Sequence, residues 1–158
     1  MTNVNIRFAY FGTSEFAVNV LDELKTKGFL PTLIVTTEDK PKGRKLVLTP
    51  PPVKVWATLN NIKYIQPKTL RTPEFVADFK SYDLDLSIVA SYGKIIPKDV
   101  IEAPKFKTLN VHPSLLPKLR GSSPIQSAIL SEDKTGVTIM KIDELVDHGP
   151  LLSQKDVE

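Results

Sequence analysis

Asn110 and His112 stand two apart at the end of a short apolar run, Thr108 to Val111, immediately before Pro113. In a strand, residues two apart point to the same side. The amide and the imidazole would therefore project together from the strand's carboxyl end. A side-chain amide can donate to a carbonyl oxygen that is becoming an oxyanion. An imidazolium beside it can stabilise the same charge or pass on a proton. Asp147, in Asp143-Glu144-Leu145-Val146-Asp147-His148-Gly149, is a candidate third member, because it follows a predicted strand ending near Ile142. An ionised carboxylate close to His112 would favour the charged imidazole. Each residue alone also has an ordinary reading. A histidine after a strand is usually a satisfied polar residue, and turn aspartates usually cap backbone amides. His148, the other histidine of the chain, has no partner signal and reads as solvated.

Competing chemistries find little support. Ser14 stands where a G-x-G-x-x-G fingerprint beginning at Gly12 needs its second glycine, and no Walker-type Gly-Lys-Ser/Thr loop is present. Ser114 lacks the G-x-S-x-G elbow of a serine hydrolase. The chain has no cysteine, which removes disulfides and thiolate metal sites and fits a reducing compartment. No metal-ligand spacing is found, so no metal is expected.

The elements that must position Asn110 and His112 follow from apolar periodicity. Residues 4–11 read as a buried strand ending at Gly12, and Ser14 can cap a helix whose Phe16, Val20, Leu21 and Leu24 share one face. Residues 33–37, 62–65, 84–90 and 108–111 read as further strands, and 136–142 alternates like another. Pro52, Pro73 and Pro124 can each open a helix, since proline suits the first turn. The stretch from Glu38 to Pro52 reads as a polar, basic loop. Strands alternating with helices imply an α/β fold: a Rossmann-like, open, mostly parallel sheet with helices on both faces. In such sheets ligands bind outside the carboxyl ends of strands. The loops at Gly12-Thr13-Ser14, at Tyr92-Gly93 and from His112 to Pro124 are then the places to look.

Bulk properties agree. With 158 residues, 41% hydrophobic and 25% charged, the chain is ordinary for one soluble domain. A net charge of +3 is too small to announce a nucleic-acid binder by itself. The N-terminus shows no signal-peptide pattern and no run is long enough to cross a membrane, so the expectation is a cytoplasmic protein.

The block from Asn110 to Pro117, continued by Arg120-Gly121-Ser122-Ser123-Pro124-Ile125-Gln126, resembles the signature of the folate-dependent formyltransferases. Phe11-Gly12-Thr13-Ser14-Glu15-Phe16-Ala17, Asp39-Lys40-Pro41-Lys42-Gly43-Arg44 and Thr135-Gly136-Val137-Thr138-Ile139-Met140 are similar to stretches of the branch that acts on methionyl initiator tRNA, in the same order. The resemblance implies 10-formyltetrahydrofolate as formyl donor and the α-amine of methionine on initiator tRNA as acceptor. It implies Asn110, His112 and Asp147 as the catalytic set and Ser114, Leu115, Leu116 and Pro117 as a folate-binding loop. Backbone at Ala90, Ser91, Tyr92 and Gly93 would meet the pteridine edge. Lys40, Lys42, Arg44 and Lys45 crowd one short loop, and such a patch suits tRNA phosphates. Two departures stand out: His148-Gly149-Pro150 replaces the family's usual Thr-Gly-Asp, and Leu46-Val47-Leu48 follows Lys45 where more lysines are usual. Residues 1–158 are expected to form a catalytic domain, incomplete at its C-terminal end and without the family's C-terminal β-barrel, and to be monomeric. The alternatives are transfer to glycinamide ribonucleotide or to a sugar amine, or a non-catalytic folate- or RNA-binding remnant.

Overall fold

The computed structural model describes residues 5–121, 123–131, 134–143 and 148–157. Seven strands form one sheet in the order β5-β2-β1-β6-β7-β8-β9. They are β1 (Phe8–Gly12), β2 (Leu33–Val35), β5 (Tyr64–Ile65), β6 (Leu86–Ala90), β7 (Thr108–His112), β8 (Thr135–Lys141) and β9 (Leu151–Val157). From β5 through β7 every pairing is parallel, whereas β7–β8 and β8–β9 are antiparallel. The α/β, mostly parallel reading is borne out.

The pleat distributes the core onto both faces. Phe8, Tyr10, Ile34 and Ala90 pack with Ala17 and Leu21 of α1 (Glu15–Thr26) and with Val53, Trp56 and Ala57 of α2 (Pro52–Leu59). Ala9, Phe11, Leu33, Val35 and Val89 face the other way, against Phe79 of α3 (Pro73–Ser81) and Val100 of α4 (Lys98–Ile101). Each large side chain fully buried in this way contributes about 1.5–3 kcal/mol relative to leaving it exposed. β1 is buried along its whole length, as a central parallel strand must be. At its end Gly12 lets the backbone pass close to helix α1: a Cβ there would lie 2.8 Å from the Ala17 Cβ and 2.7 Å from the Tyr10 ring.

The proline rule holds at α2 and α3, which begin at Pro52 and Pro73, and again at α5 (Pro124–Ser131). At α3 the Thr72 hydroxyl also accepts from Phe75 N at 3.2 Å. Ser14 holds the N-cap position of α1 with extended backbone, yet its hydroxyl makes no cap hydrogen bond.

Four elements depart from expectation. The 38–52 loop contains an antiparallel hairpin, β3 (Lys40–Lys42) with β4 (Val47–Thr49). Its strands are only three residues long, too short for a period to show. Its turn is closed by Gly43 and Leu46, both at positive φ (72° and 49°). The four-residue α4 is likewise too short for a helical period. β9 is exposed along its length and carries no apolar alternation, so only pairing with β8 makes it a strand.

Candidate functional site

A cleft of about 790 Å³ opens beyond the carboxyl ends of β1, β6 and β7. Strand order reverses between β1 and β6: the chain leaves β1 toward β2 and β5, then returns to build β6 and β7 on the other side. The cleft therefore lies at the topological switch point, where open α/β sheets bind ligands. Ser14 and Phe16 border it after β1, residues 91–96 after β6, and Asn110, Val111, His112 and Pro113 at the end of β7. Val89, Ile96, Ile101, Met140 and Ile142 supply apolar wall.

Asn110 and His112, paired by spacing in the sequence, do meet at this cleft. β7 holds them: Asn110 lies opposite Val89 in the parallel β6 pair and opposite Met140 in the antiparallel β8 pair. His112 is 5% exposed. Its Nε2 donates to the carbonyl of Leu119 at 2.9 Å. A carbonyl can only accept, so this contact requires a proton on Nε2. Asp147 lies outside the described residues, while Asp143, from the same stretch, lines the cleft.

The remaining sequence candidates divide. Ser91, Tyr92 and Gly93 line the cleft, with Ser91 and Gly93 at positive φ (49° and 85°). The turn is tied to the first loop, since Thr13 N donates to Ser91 O at 3.1 Å and Thr13 Oγ1 to Tyr92 O at 2.7 Å. Ala90 sits below it, in the core with α1 and α2. Ser114 and Leu116 are buried in the loop leaving β7, where Ser114 Oγ donates to Lys118 O at 2.7 Å. Their side chains anchor that loop rather than line the cleft. Lys40, Lys42, Arg44 and Lys45 all lie on the exposed β3–β4 hairpin. Glu38, at its base, has its carboxylate 3.9 Å from Lys94 Nζ, and Lys94 borders the cleft. Among the described residues no group of three His, Asp or Glu side chains is placed to hold a metal ion, and no helix is long and apolar enough to cross a membrane.

What this geometry resembles is decided by comparison with known proteins. The family model described as formyl transferase matches residues 4–158. The chain belongs to the formyl transferase family. This formyl transferase chain is 46% identical over 158 residues to the methionyl-tRNA formyltransferase of Geobacillus thermodenitrificans, covering 99% of this chain and 48% of that protein. It is 44% identical over 154 residues to the methionyl-tRNA formyltransferase of Chloroflexus aggregans, covering 97% of this chain and 50% of that one. The chain thus spans about half the length of the curated relatives it matches. Among solved structures, phosphoribosylglycinamide formyltransferase from Bacillus halodurans superposes with a TM-score of 0.71 at 25% identity, over 96% of this chain and 79% of that one. Glycinamide ribonucleotide transformylase 1 from Geobacillus kaustophilus gives 0.70 at 27% identity, over 96% of this chain and 82% of that one. The resemblance read from the Asn110–Gln126 block is therefore borne out.

Sequence reasoning missed the Leu119 carbonyl, the apolar wall from β8 and the two β8–β9 side chains that grip the loop behind His112. A carbonyl has no residue-type signature. The β8 contribution depends on an antiparallel register that no local pattern encodes.

Proposed function

We propose that this chain forms the site at which a formyl group passes from 10-formyltetrahydrofolate to the α-amine of methionine on initiator tRNA. The observation that carries the reading is the juxtaposition of Asn110 and His112 at the mouth of a cleft at the switch point. The cleft fits a flat heterocycle: apolar walls, with polar backbone from Ser91 to Gly93 along one edge. Ala90 to Gly93 would meet the pteridine edge, and the Ser114, Leu115, Leu116 and Pro117 loop would support the folate. The donor supplies an electrophilic formyl carbonyl.

This chain's residues then act on charge. The Asn110 amide donates to the formyl oxygen as negative charge gathers on it. Protonated His112 stabilises the same oxygen. Asp147 keeps His112 charged and accepts through water the proton that the amine loses as its nitrogen bonds to the formyl carbon. Collapse of the tetrahedral adduct breaks the bond from that carbon to the folate nitrogen, which takes the proton and leaves as tetrahydrofolate. A preorganised donor of this kind contributes about 3–4 kcal/mol. Lys40, Lys42, Arg44 and Lys45 suit the acceptor's phosphates. The relatives that cover nearly all of this chain carry the name methionyl-tRNA formyltransferase, which favours that acceptor. On this reading no metal takes part, and the protein works in the cytoplasm as a monomer, which light scattering checks through the mass in solution.

A second reading, transfer to glycinamide ribonucleotide, draws on the superposed structures. Supplying formyl folate with methionyl-tRNA, glycinamide ribonucleotide or an amino sugar separates the readings. Transfer to methionyl-tRNA is expected, and transfer to the ribonucleotide alone overturns the proposal. Folate binding without transfer to any amine, beside an active longer relative, would favour a non-catalytic module. His112→Ala and Asp147→Asn should each lower single-turnover rates by about 10²–10³-fold with folate affinity nearly unchanged. Near-normal rates in either would remove that residue from the site.

A further inference from the structure

Thr138 lies directly opposite His112 in the β7–β8 pair, and Gln154 lies directly opposite Thr138 in the β8–β9 pair. Directly opposed residues share one face of a sheet. His112, Thr138 and Gln154 are therefore one row across three strands, and the loop leaving β7 is hydrogen-bonded to all three. Thr138 is fully buried. Its hydroxyl donates to Ser114 O at 2.6 Å and accepts from Leu116 N at 3.1 Å and from Gln154 Nε2 at 2.9 Å. One O–H and two lone pairs are all that a hydroxyl has, so the group is saturated. The Gln154 amide also donates to Leu116 O, at 2.8 Å. Ser114 Oγ passes the restraint on to Lys118 O, and the next residue, Leu119, presents its carbonyl to His112 Nε2. Leu119 has φ of 55°, a conformation that a leucine keeps only where its surroundings impose it.

We propose that Thr138 and Gln154 are positioning residues that set the proton on His112. They hold the 113–119 loop so that the Leu119 carbonyl keeps a proton on Nε2. Nδ1 is then the nitrogen that holds the second proton of the imidazolium used in the proposed transfer. The proposal rests on the formyl-transfer reading in giving His112 catalytic work, whereas the clamp itself is a property of the free protein. A neutral imidazole otherwise divides between two tautomers, and a fixed acceptor selects one. When the loop is loosened, both populate, and fewer molecules hold the ring ready for transfer.

The test uses the full chain with Gln154→Leu, Thr138→Val and the conservative Thr138→Ser. Gln154 lies on the exposed β9 strand, so its variant keeps the experiment informative even if Thr138→Val fails to fold. Proton–nitrogen correlation spectra of the two histidines, taken where the rings are neutral, report the tautomers, and exposed His148 serves as internal reference. Wild-type His112 and Thr138→Ser should show the Nε2–H form. Gln154→Leu should show a mixture and lose roughly ten- to hundred-fold in kcat, while KM for the amine changes little. An unchanged tautomer in Gln154→Leu overturns the proposal, as does a mixture in Thr138→Ser equal to that in Gln154→Leu. A tautomer change in a protein whose wild type formylates none of the amines supports the clamp and overturns the formyl-transfer reading instead.

Discussion

Tyr92 lines the cleft with its ring edge-on to Phe11 (5.4 Å between centroids), yet its buried hydroxyl has no hydrogen-bond partner among the described residues. Burial, helped by the negative charge of Glu38, pushes its phenol up to about 12. An unfolded tyrosine ionises near ~10. The stability linked to this group is therefore complete below ~10 and drains away as pH rises through about 12. An unsatisfied buried polar atom costs about 1–3 kcal/mol. Tyr92→Phe should accordingly raise urea-denaturation stability by about 1 kcal/mol and flatten the alkaline limb. A loss of stability would mean that the hydroxyl has a partner. At this scale the Asn110–His112 pair was fully legible, because a period of two places both on one side of a strand whatever surrounds it. The unpartnered Tyr92 hydroxyl was not, since burial belongs to the assembled core.

The β3–β4 hairpin stands on a well-anchored base. Lys54 Nζ donates to both carboxylate oxygens of Asp39, at 2.9 and 2.8 Å, and Gln66 Nε2 donates to Asp39 Oδ1 at 2.7 Å and to Thr37 O at 2.8 Å. The hydrogen bond from Lys54, followed by that from Gln66, holds the Asp39 carboxyl below its ordinary value. The clamp is thus fully formed above the ordinary carboxylate range and is lost as pH falls through the lowered value. Above this base the basic side chains share the hairpin with exposed Leu46, Val47 and Leu48. If these cations meet tRNA phosphates, each one removed takes away a counterion-releasing contact. Lys42→Ala with Arg44→Ala should weaken tRNA binding and lower the slope of log K against log salt by roughly 0.7–0.9 per contact, with folate binding untouched. An unchanged slope would take the hairpin off the tRNA. Its basic composition was legible, whereas its strand pairing was not, because three-residue strands and a tight turn leave no periodic trace.

Across the whole molecule, the sheet is extended past β7 by β8 and β9, and close packing on both sides of Gly136 depends on that glycine. A Cβ there would fall on the Lys155 carbonyl of β9, 2.6 Å from Leu115 Cδ2 in the loop behind His112. Gly136→Ala should cost about 1–3 kcal/mol as overpacking, read by urea denaturation. A cost near zero would show that β9 yields to the methyl group. The parallel half of the sheet was legible from buried apolar runs with β-branched residues, since strands covered on both faces admit little else. The antiparallel half was only partly so. β8 shows a pattern, but β9 is exposed and polar and is a strand by virtue of its partner alone.

The sequence by itself determined the α/β class, the helix starts at proline, the Asn110–His112 pair and the formyl transferase family. All of these depend on residue type and local period, which act over a few positions. Tertiary structure alone decided where strand order reverses to open the cleft, that Ala90 belongs to the core beneath it, and that Thr138 and Gln154 lie in register with His112. Register and strand order arise from pairing between segments far apart in the chain. The Nε2 proton of His112 was set at that level as well, because its acceptor is a backbone carbonyl that any residue could provide.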